Sequence, residues 1–175
     1  MALFMKRERG LTLVELVVTI AIVAVLAAAM IPSLGRWVSH YRIRGAARDV
    51  ASCFRLAQMT AIQQNRNCTV QFELSGNCSV LVTGTANPLR RVVPDTDYPG
   101  VHLDLSQGGG DGLEFPDTGG DGLYSITFNS RGIPSDENGQ LAAAERIYLE
   151  NARNEGYWVE VSPVGNVRYD KYRDG

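Results

Sequence analysis

Gly10-Leu11-Thr12-Leu13-Val14-Glu15-Leu16 is the stretch on which the reading of this chain turns. Ahead of it stands the basic cluster Lys6-Arg7-Glu8-Arg9, and from Leu16 to Gly35 follow twenty residues without a charge. At 1.5 Å per residue a helix of that length extends about 30 Å, the thickness of a bilayer's hydrocarbon core. The run therefore predicts a helix able to cross a membrane. Glu15 is the anomaly, because a carboxylate near the start of an apolar segment is costly unless it finds a partner. It lies four residues after Leu11, on the same face of the helix.

These residues resemble the N-terminal motif of the type IV prepilins and of the pseudopilins of type II secretion. That motif is a short basic leader ending in Gly, a hydrophobic residue, and Thr-Leu-Val/Ile-Glu-Leu ahead of an apolar helix. Glu15 is fifth after Gly10 and Pro32 is twenty-second, where many family members also carry Pro. Leu11 departs from the usual Phe. The resemblance covers about the first thirty residues and implies cleavage after Gly10 by a prepilin peptidase, then N-methylation of Leu11. It also implies subunit docking through Glu15 and Thr12, the carboxylate pairing with the amine of a neighbouring subunit and fixing the axial register. Such a pair is costly in apolar surroundings unless complete, which makes it selective. The implied partners are other pilins or pseudopilins, the peptidase, an inner-membrane assembly platform and the membrane itself. The implied location is the inner membrane, spanned once, with the head in the periplasm and the chain later built into a pseudopilus or pilus.

An ordinary secretory signal also has a basic start and an apolar middle, but twenty uncharged residues is long for one. A plain anchor, held by Lys6, Arg7 and Arg9 on the inside, explains the apolar run but leaves Gly10 and Glu15 without a purpose.

Beyond the apolar run, Ile43, Ala47, Val50, Phe54, Ala57 and Ala61 recur at intervals of three and four, one face of an amphipathic helix. Arg36, His40, Arg44, Arg48 and Arg55 form a polar stripe, read as a solvated face or one covering acidic loops, and otherwise as a docking surface for acidic neighbours. A single helix is expected from about residue 13 to 64, with a kink or local opening at Pro32, which lacks a backbone donor. Trp37 and Tyr41 follow the run where interfacial aromatics belong.

The 175 residues leave room for one anchoring helix and one ordinary domain. Net charge is −2, and removing residues 1–10 takes away three basic residues and one acidic, leaving −4. Nothing in that balance favours nucleic acid globally. Of the three cysteines, Cys53 falls on the apolar helical face and reads as a small buried hydrophobe. Cys68 and Cys78 flank a strand and turn, and a disulfide between them is one expectation, in a compartment that permits it; spacing alone leaves connectivity open.

From Cys68 onward the texture turns β-branched and alternating, with strands expected at 69–74, 79–83, 89–93, 101–105, 123–129, 146–150, 157–162 and 166–170. Turn signals separate them, among them Ser75-Gly76-Asn77, Arg131-Gly132 and Pro163-Val164-Gly165. The fold class is α+β: a long N-terminal helix, transmembrane and then amphipathic, packed on a β-rich head of two small antiparallel sheets. The division expected is 1–10 leader, 11–34 apolar helix, 35–64 amphipathic half, and 65–175 head, the lollipop form of pilins. Ile126-Thr127-Phe128 with Gly132, then Tyr157-Trp158-Val159-Glu160-Val161 and Gly165, resemble the C-terminal half of the GspH/FimT-type minor pseudopilins. No Cys follows Cys78, whereas major type IVa pilins usually close a C-terminal loop with a Cys pair.

Asp111, Glu114, Asp117 and Asp121 lie in a Gly/Asp-rich stretch that repeats at a ten-residue spacing. Calcium is conceivable there, but known loop spacings are not met and a solvated loop is the expectation. No metal and no cofactor are called for. The tail carries Arg168, Lys171 and Arg173 among tyrosines, a pattern that can contact DNA through phosphates and stacking. Asp170 and Asp174 offset most of that charge. No nucleophile elbow, phosphate loop or metal triad is present, so the chain does not read as an enzyme. The expectation is a minor pseudopilin of a type II secretion system or type IV pilus, serving protein secretion or pilus biogenesis. The alternatives are a DNA-binding minor pilin for uptake and a membrane-anchored β-domain that never polymerises.

Overall fold

The structure, a computed structural model, describes residues 12–85, 87–115, 122–135 and 143–173, without the side chains of residues 29 and 31–34. It divides into two units, Met1–Val38 and Ser39–Gly175. One helix, α1 (Leu13–Gln64), contributes to both, and its helical assignment is unbroken through Pro32.

In the first unit the helix is apolar on every side and its side chains are exposed: Leu13 is 78% exposed, Ile20 61% and Val25 71%. A helix of this composition is at home only when something apolar surrounds it. Among the described residues no helix is long and apolar enough to cross a membrane. The expected run of twenty is described with side chains only in part, since positions 29 and 31–34 fall outside it.

The second unit is built on the amphipathic part of α1. All six residues of the expected apolar face, Ile43, Ala47, Val50, Phe54, Ala57 and Ala61, are buried, joined by Ala46, Ala51 and Cys53. The alanines keep the helix slim, so that strands can approach its backbone closely. Gly45 serves the same end: a Cβ there would lie 2.8 Å from Cε1 of Tyr98. Arg44, Arg48 and Arg55 are exposed on the other side.

The strands follow in order: β1 (Cys68–Glu73), β2 (Cys78–Val82), β3 (Arg90–Val92), the single turn α2 (Pro94–Asp97), β4 (Val101–Leu103), β5 (Leu123–Phe128), β6 (Pro134–Ser135), β7 (Glu145–Asn151), β8 (Gly156–Val161) and β9 (Val167–Arg173). They form two antiparallel sheets, one ordered β3-β2-β1-β5-β6 and the other β4-β7-β8-β9. β1 and β2 alternate buried with half-buried residues, the mark of a sheet with one face on a core. Both sheets and the helix contribute to a single core, in which Phe54 of α1 lies 5.4 Å from Phe72, 6.2 Å from Phe115 and 6.5 Å from Phe128.

The α+β architecture with two antiparallel sheets is the one expected from sequence. The differences are local. β6, of two residues, was not expected, because a Pro-Ser pair carries no strand signal. β4 stops at Leu103, where Asp104 turns the chain by accepting from the backbone N–H of Ser106 at 2.9 Å. β9 runs to Arg173, beyond the expected 170, because Lys171 and Arg173 still pair with Tyr157 and Gly156 across a bulge.

Candidate functional site

Thr12 begins the N-terminal site, just ahead of the helix. Its hydroxyl accepts a hydrogen bond from the backbone N–H of Glu15 at 3.2 Å, and its carbonyl accepts from Leu16 N–H at 3.1 Å. That is N-capping geometry, which satisfies donors that a helix start otherwise leaves open. The Thr-x-x-Glu spacing is also a capping-box signature in the sequence. The cap uses the backbone of Glu15, however. Among the described residues the exposed Glu15 carboxylate makes no hydrogen bond or ion pair. Thr19 closes the first turns by donating to the carbonyls of Glu15 and Leu16, each at 2.8 Å. Gly10 and Leu11, the expected cleavage and methylation positions, lie outside the described residues, as do Lys6, Arg7 and Arg9.

The expected Cys68–Cys78 disulfide is not formed. All three cysteines are buried free thiols. In the β1–β2 ladder Cys68 stands opposite Val82, and Cys78 stands opposite Phe72. The two are therefore four residues apart along the ladder, roughly 13 Å, where a disulfide needs Cα atoms within about 7 Å. The cysteines flank the hairpin in sequence but occupy its opposite ends.

The three cations of the tail do not share one face of β9. Arg168 and Lys171 are three residues apart on β9 and so point to opposite faces. Arg173 is held by Asp104 and Glu150, each at 3.3 Å. Burial works against the Asp104 carboxylate, but hydrogen bonds from Ser106 and Tyr172 and the Arg173 guanidinium hold it below the ordinary range. Arg173 and Tyr172 are thus fastened to the sheet.

In the Gly/Asp stretch, Asp111 accepts from Tyr124 hydroxyl at 2.8 Å and from Leu113 N–H at 3.0 Å, while Glu114 accepts from Tyr148 hydroxyl at 2.7 Å. Asp117 and Asp121 lie outside the described residues, and among those described no group of three or more His, Cys, Asp or Glu is placed to hold a metal.

At His40 the polar stripe covers an acidic turn, Nδ1 lying 3.6 Å from Glu155 Oε1 between β7 and β8, and further along it meets β9. Arg55 donates to the Val167 carbonyl at 3.3 Å. The nearby Arg48 guanidinium, with the charges of Arg44 and Arg55, lowers the Tyr169 phenol below its usual range. Arg48 and Arg55 of the stripe thus border β9, an edge strand of its sheet.

Three further residues fix the head and carried no sequence signal. Gln58 donates to the carbonyls of Gly132 and Gly165 at 2.9 and 3.2 Å, so one helix side chain ties two hairpin turns. At Gly165, with φ +83°, an added Cβ would lie 2.5 Å from Gln58 Nε2, which explains the glycine. Asp49 accepts from Tyr98 hydroxyl at 2.7 Å and pairs with Arg90 at 3.1 Å. Burial first and the Asp49 bond second push the Tyr98 phenol up to about 12. Buried Asn151 closes the β7–β8 turn through Arg153 and Glu155 N–H groups and donates to Ser39 at 3.0 Å.

Two family models match. Residues 5–31 match the prokaryotic N-terminal methylation motif, and residues 46–165 match the type II transport protein GspH. Among solved structures the chain is similar to the type IV minor pilin FimU of Pseudomonas aeruginosa, with 14% identity and a TM-score of 0.52. That likeness covers 77% of this chain and 92% of FimU. It is also similar to EpsH, the minor pseudopilin of the Vibrio cholerae type 2 secretion system, with 12% identity and a TM-score of 0.51 over 74% of this chain and 97% of that one. At these identities the structures show a shared fold.

Proposed function

We infer the working of this chain from its family: it belongs to the type II transport protein GspH family. Its function is that of a minor pseudopilin or minor pilin, a structural subunit of type II secretion or type IV pilus machinery that assembles with other pilins. In this reading a prepilin peptidase removes residues 1–10 after Gly10 and the new Leu11 amine is methylated. The helix of residues 11–34 rests in the inner membrane, with residues 35–64 leading into the head of 65–175 in the periplasm. An assembly platform then draws the subunit into a filament.

One observation carries this reading best. The first unit exposes large apolar side chains on every side, and Glu15, the one carboxylate among its described residues, has no partner among them. Leu13, Val14, Val17, Ile20 and Val23 are each more than half exposed. Lipid or the apolar helices of other subunits would cover that surface equally well. Lipid hydrocarbon offers Glu15 no counter-charge, whereas a neighbouring subunit's terminal amine would complete a charge pair.

A photo-crosslinker placed at Ile22 in the producing cell tests the assembly. The expected adduct, identified by mass spectrometry, joins this helix to another chain carrying the same N-terminal motif. A membrane-held chain that yields no adduct of that kind, in cells that secrete or bear pili, would contradict the reading.

A further inference from the structure

β9 ends its sheet and pairs along one side only, with β8. The hairpin joining the two strands decides which backbone groups of β9 are used. Ser162 N–H donates to the Asn166 carbonyl at 2.9 Å, and the alternation of an antiparallel ladder follows from that pair. Arg168 and Asp170 therefore bond to β8, while Val167, Tyr169 and Lys171 turn their N–H and C=O groups to the open edge. The Val167 carbonyl accepts there from Arg55 of α1 at 3.3 Å. Lys171 N–H bonds to the carboxylate of its neighbour Asp170 at 2.8 Å, a local contact that strand pairing would displace.

Two contacts lay the helix beside this edge. Arg55 meets Val167, and the His40 ring lies 6.3 Å from that of Tyr157, which stands opposite Lys171. Arg44 and Arg48 lie between His40 and Arg55 along α1 and, like Arg55, are exposed. Spacings of four and seven put the three arginines on one face. Among the described residues none of them is in an ion pair. The nearby acids are engaged elsewhere, Asp49 with Arg90 and Glu155 with His40. Val167 and Tyr169 pack on the core, so the exposed Asp170 and Arg168 lie on the other face of β9. A cleft lined by Arg55, Trp158, Val167, Arg168, Tyr169 and Asp170 opens at the edge.

We propose that this edge docks an extended, acidic segment of a different protein, which adds to β9 as an antiparallel strand with acids at alternate positions. The open groups of β9 fix the alternation. Residues of the incoming strand opposite Val167, Tyr169 and Lys171 share their face, the one turned to the helix, and there they meet Arg55, Arg48 and Arg44. Residues between them fall on the face of Arg168 and Asp170, where the charge is mixed and small polar side chains suffice. Main-chain bonds supply attraction for any extended segment, and the arginines supply the choice. Cations along an edge deter neutral and basic strands. A second copy of this chain does not fit: acids two residues apart occur once, at Asp95 and Asp97, and these lie in α2. The proposal does not rest on the filament reading above.

The probe is a capped synthetic peptide of strictly alternating Thr and Glu, with three Glu in seven residues, titrated into the full chain in neutral detergent. Binding is expected at micromolar peptide, and it should weaken as salt rises because the arginines are exposed. Methylating the three Glu amides, which face β9, should weaken it at least about tenfold through lost main-chain bonds. Methylating the Thr amides, which face away, should cost about twofold or less. Arg48→Glu combined with Arg55→Glu should also weaken binding at least about tenfold, with the far-UV spectrum unchanged. The peptide arms hold even if that variant misfolds. Equal binding by a peptide with its Glu residues in one block, equal loss from both methylations, or no binding at millimolar peptide would overturn the proposal. An oligothymidylate that binds more tightly and displaces the peptide would overturn it too, and give the stripe to nucleic acid.

Discussion

Replacing Glu15 by Ala is expected to cut incorporation of this subunit into filaments by about a hundredfold while leaving the head folded. The physical basis is the separation of two roles at the first turn. The helix cap needs only the backbone N–H of Glu15, which bonds Thr12 at 3.2 Å, and Ala supplies that donor equally well. The carboxylate makes no bond within the described part of the subunit, so its removal costs the isolated chain little. In an apolar bundle the effect is different. A neighbouring terminal amine left without its counter-charge costs about 3 kcal/mol or more, which is about a hundredfold in association. Glu15→Gln should fail similarly, because it keeps the shape and loses the charge. Recovery of the variant in sheared filaments, set against its membrane level, reads the effect. Wild-type recovery of Glu15→Ala would point to a membrane-anchored domain that does not polymerise.

Phe54→Ala is expected to have the largest effect on the head, destabilising it by roughly 3–5 kcal/mol, as large aromatic truncations in cores do. Phe54 touches Phe72 and Phe128, from two neighbouring strands, and Phe115 from the loop before β5. It is completely buried, so nothing fills the space it leaves except the partial collapse of its neighbours. Against a typical domain stability of about 5–15 kcal/mol, that loss would leave a head prone to unfolding and proteolysis. Urea unfolding of the detergent-solubilised chain, followed by tryptophan fluorescence, measures it. A change below about 1 kcal/mol would mean that the ring cluster is not the centre of the core.

Phe54 also illustrates what the sequence discloses. Its position in the series Ile43, Ala47, Val50, Phe54, Ala57, Ala61 follows from helical periodicity, and all six are buried, because a face that repeats every three to four residues has one place to go. The strands were legible for the corresponding reason, although their pairing was not. Cys68 and Cys78 show why: ten residues apart in a hairpin, they look adjacent, yet the register Cys68–Val82 and Phe72–Cys78 sends them to opposite ends. Register depends on turn geometry and on which face is buried, and neither is fixed by the cysteines.

At the N-terminus the sequence singles out Glu15, because an acid at the start of an apolar run breaks a strong rule. Thr12, beside it, caps the helix through its hydroxyl, a role that the Thr-x-x-Glu spacing also signals. Gln58 lies at the other extreme. A glutamine on a helix announces nothing, and its two bonds to the Gly132 and Gly165 turns exist only once residues more than seventy apart are brought together. How the tail tyrosines and cations are arranged was out of reach for the same reason. Their alternation along β9 and the capture of Arg173 by Asp104 and Glu150 are tertiary facts.

Membership of the GspH family makes processing at Gly10 the claim on which the rest depends. The most direct measurement is the intact mass and N-terminal sequence of the chain purified from cells with and without prepilin peptidase. The account predicts a mature chain beginning at methylated Leu11 when the peptidase is present, and an uncut chain when it is absent. An uncut chain in the presence of the peptidase, or a cut at another position made by ordinary signal peptidase, would contradict it.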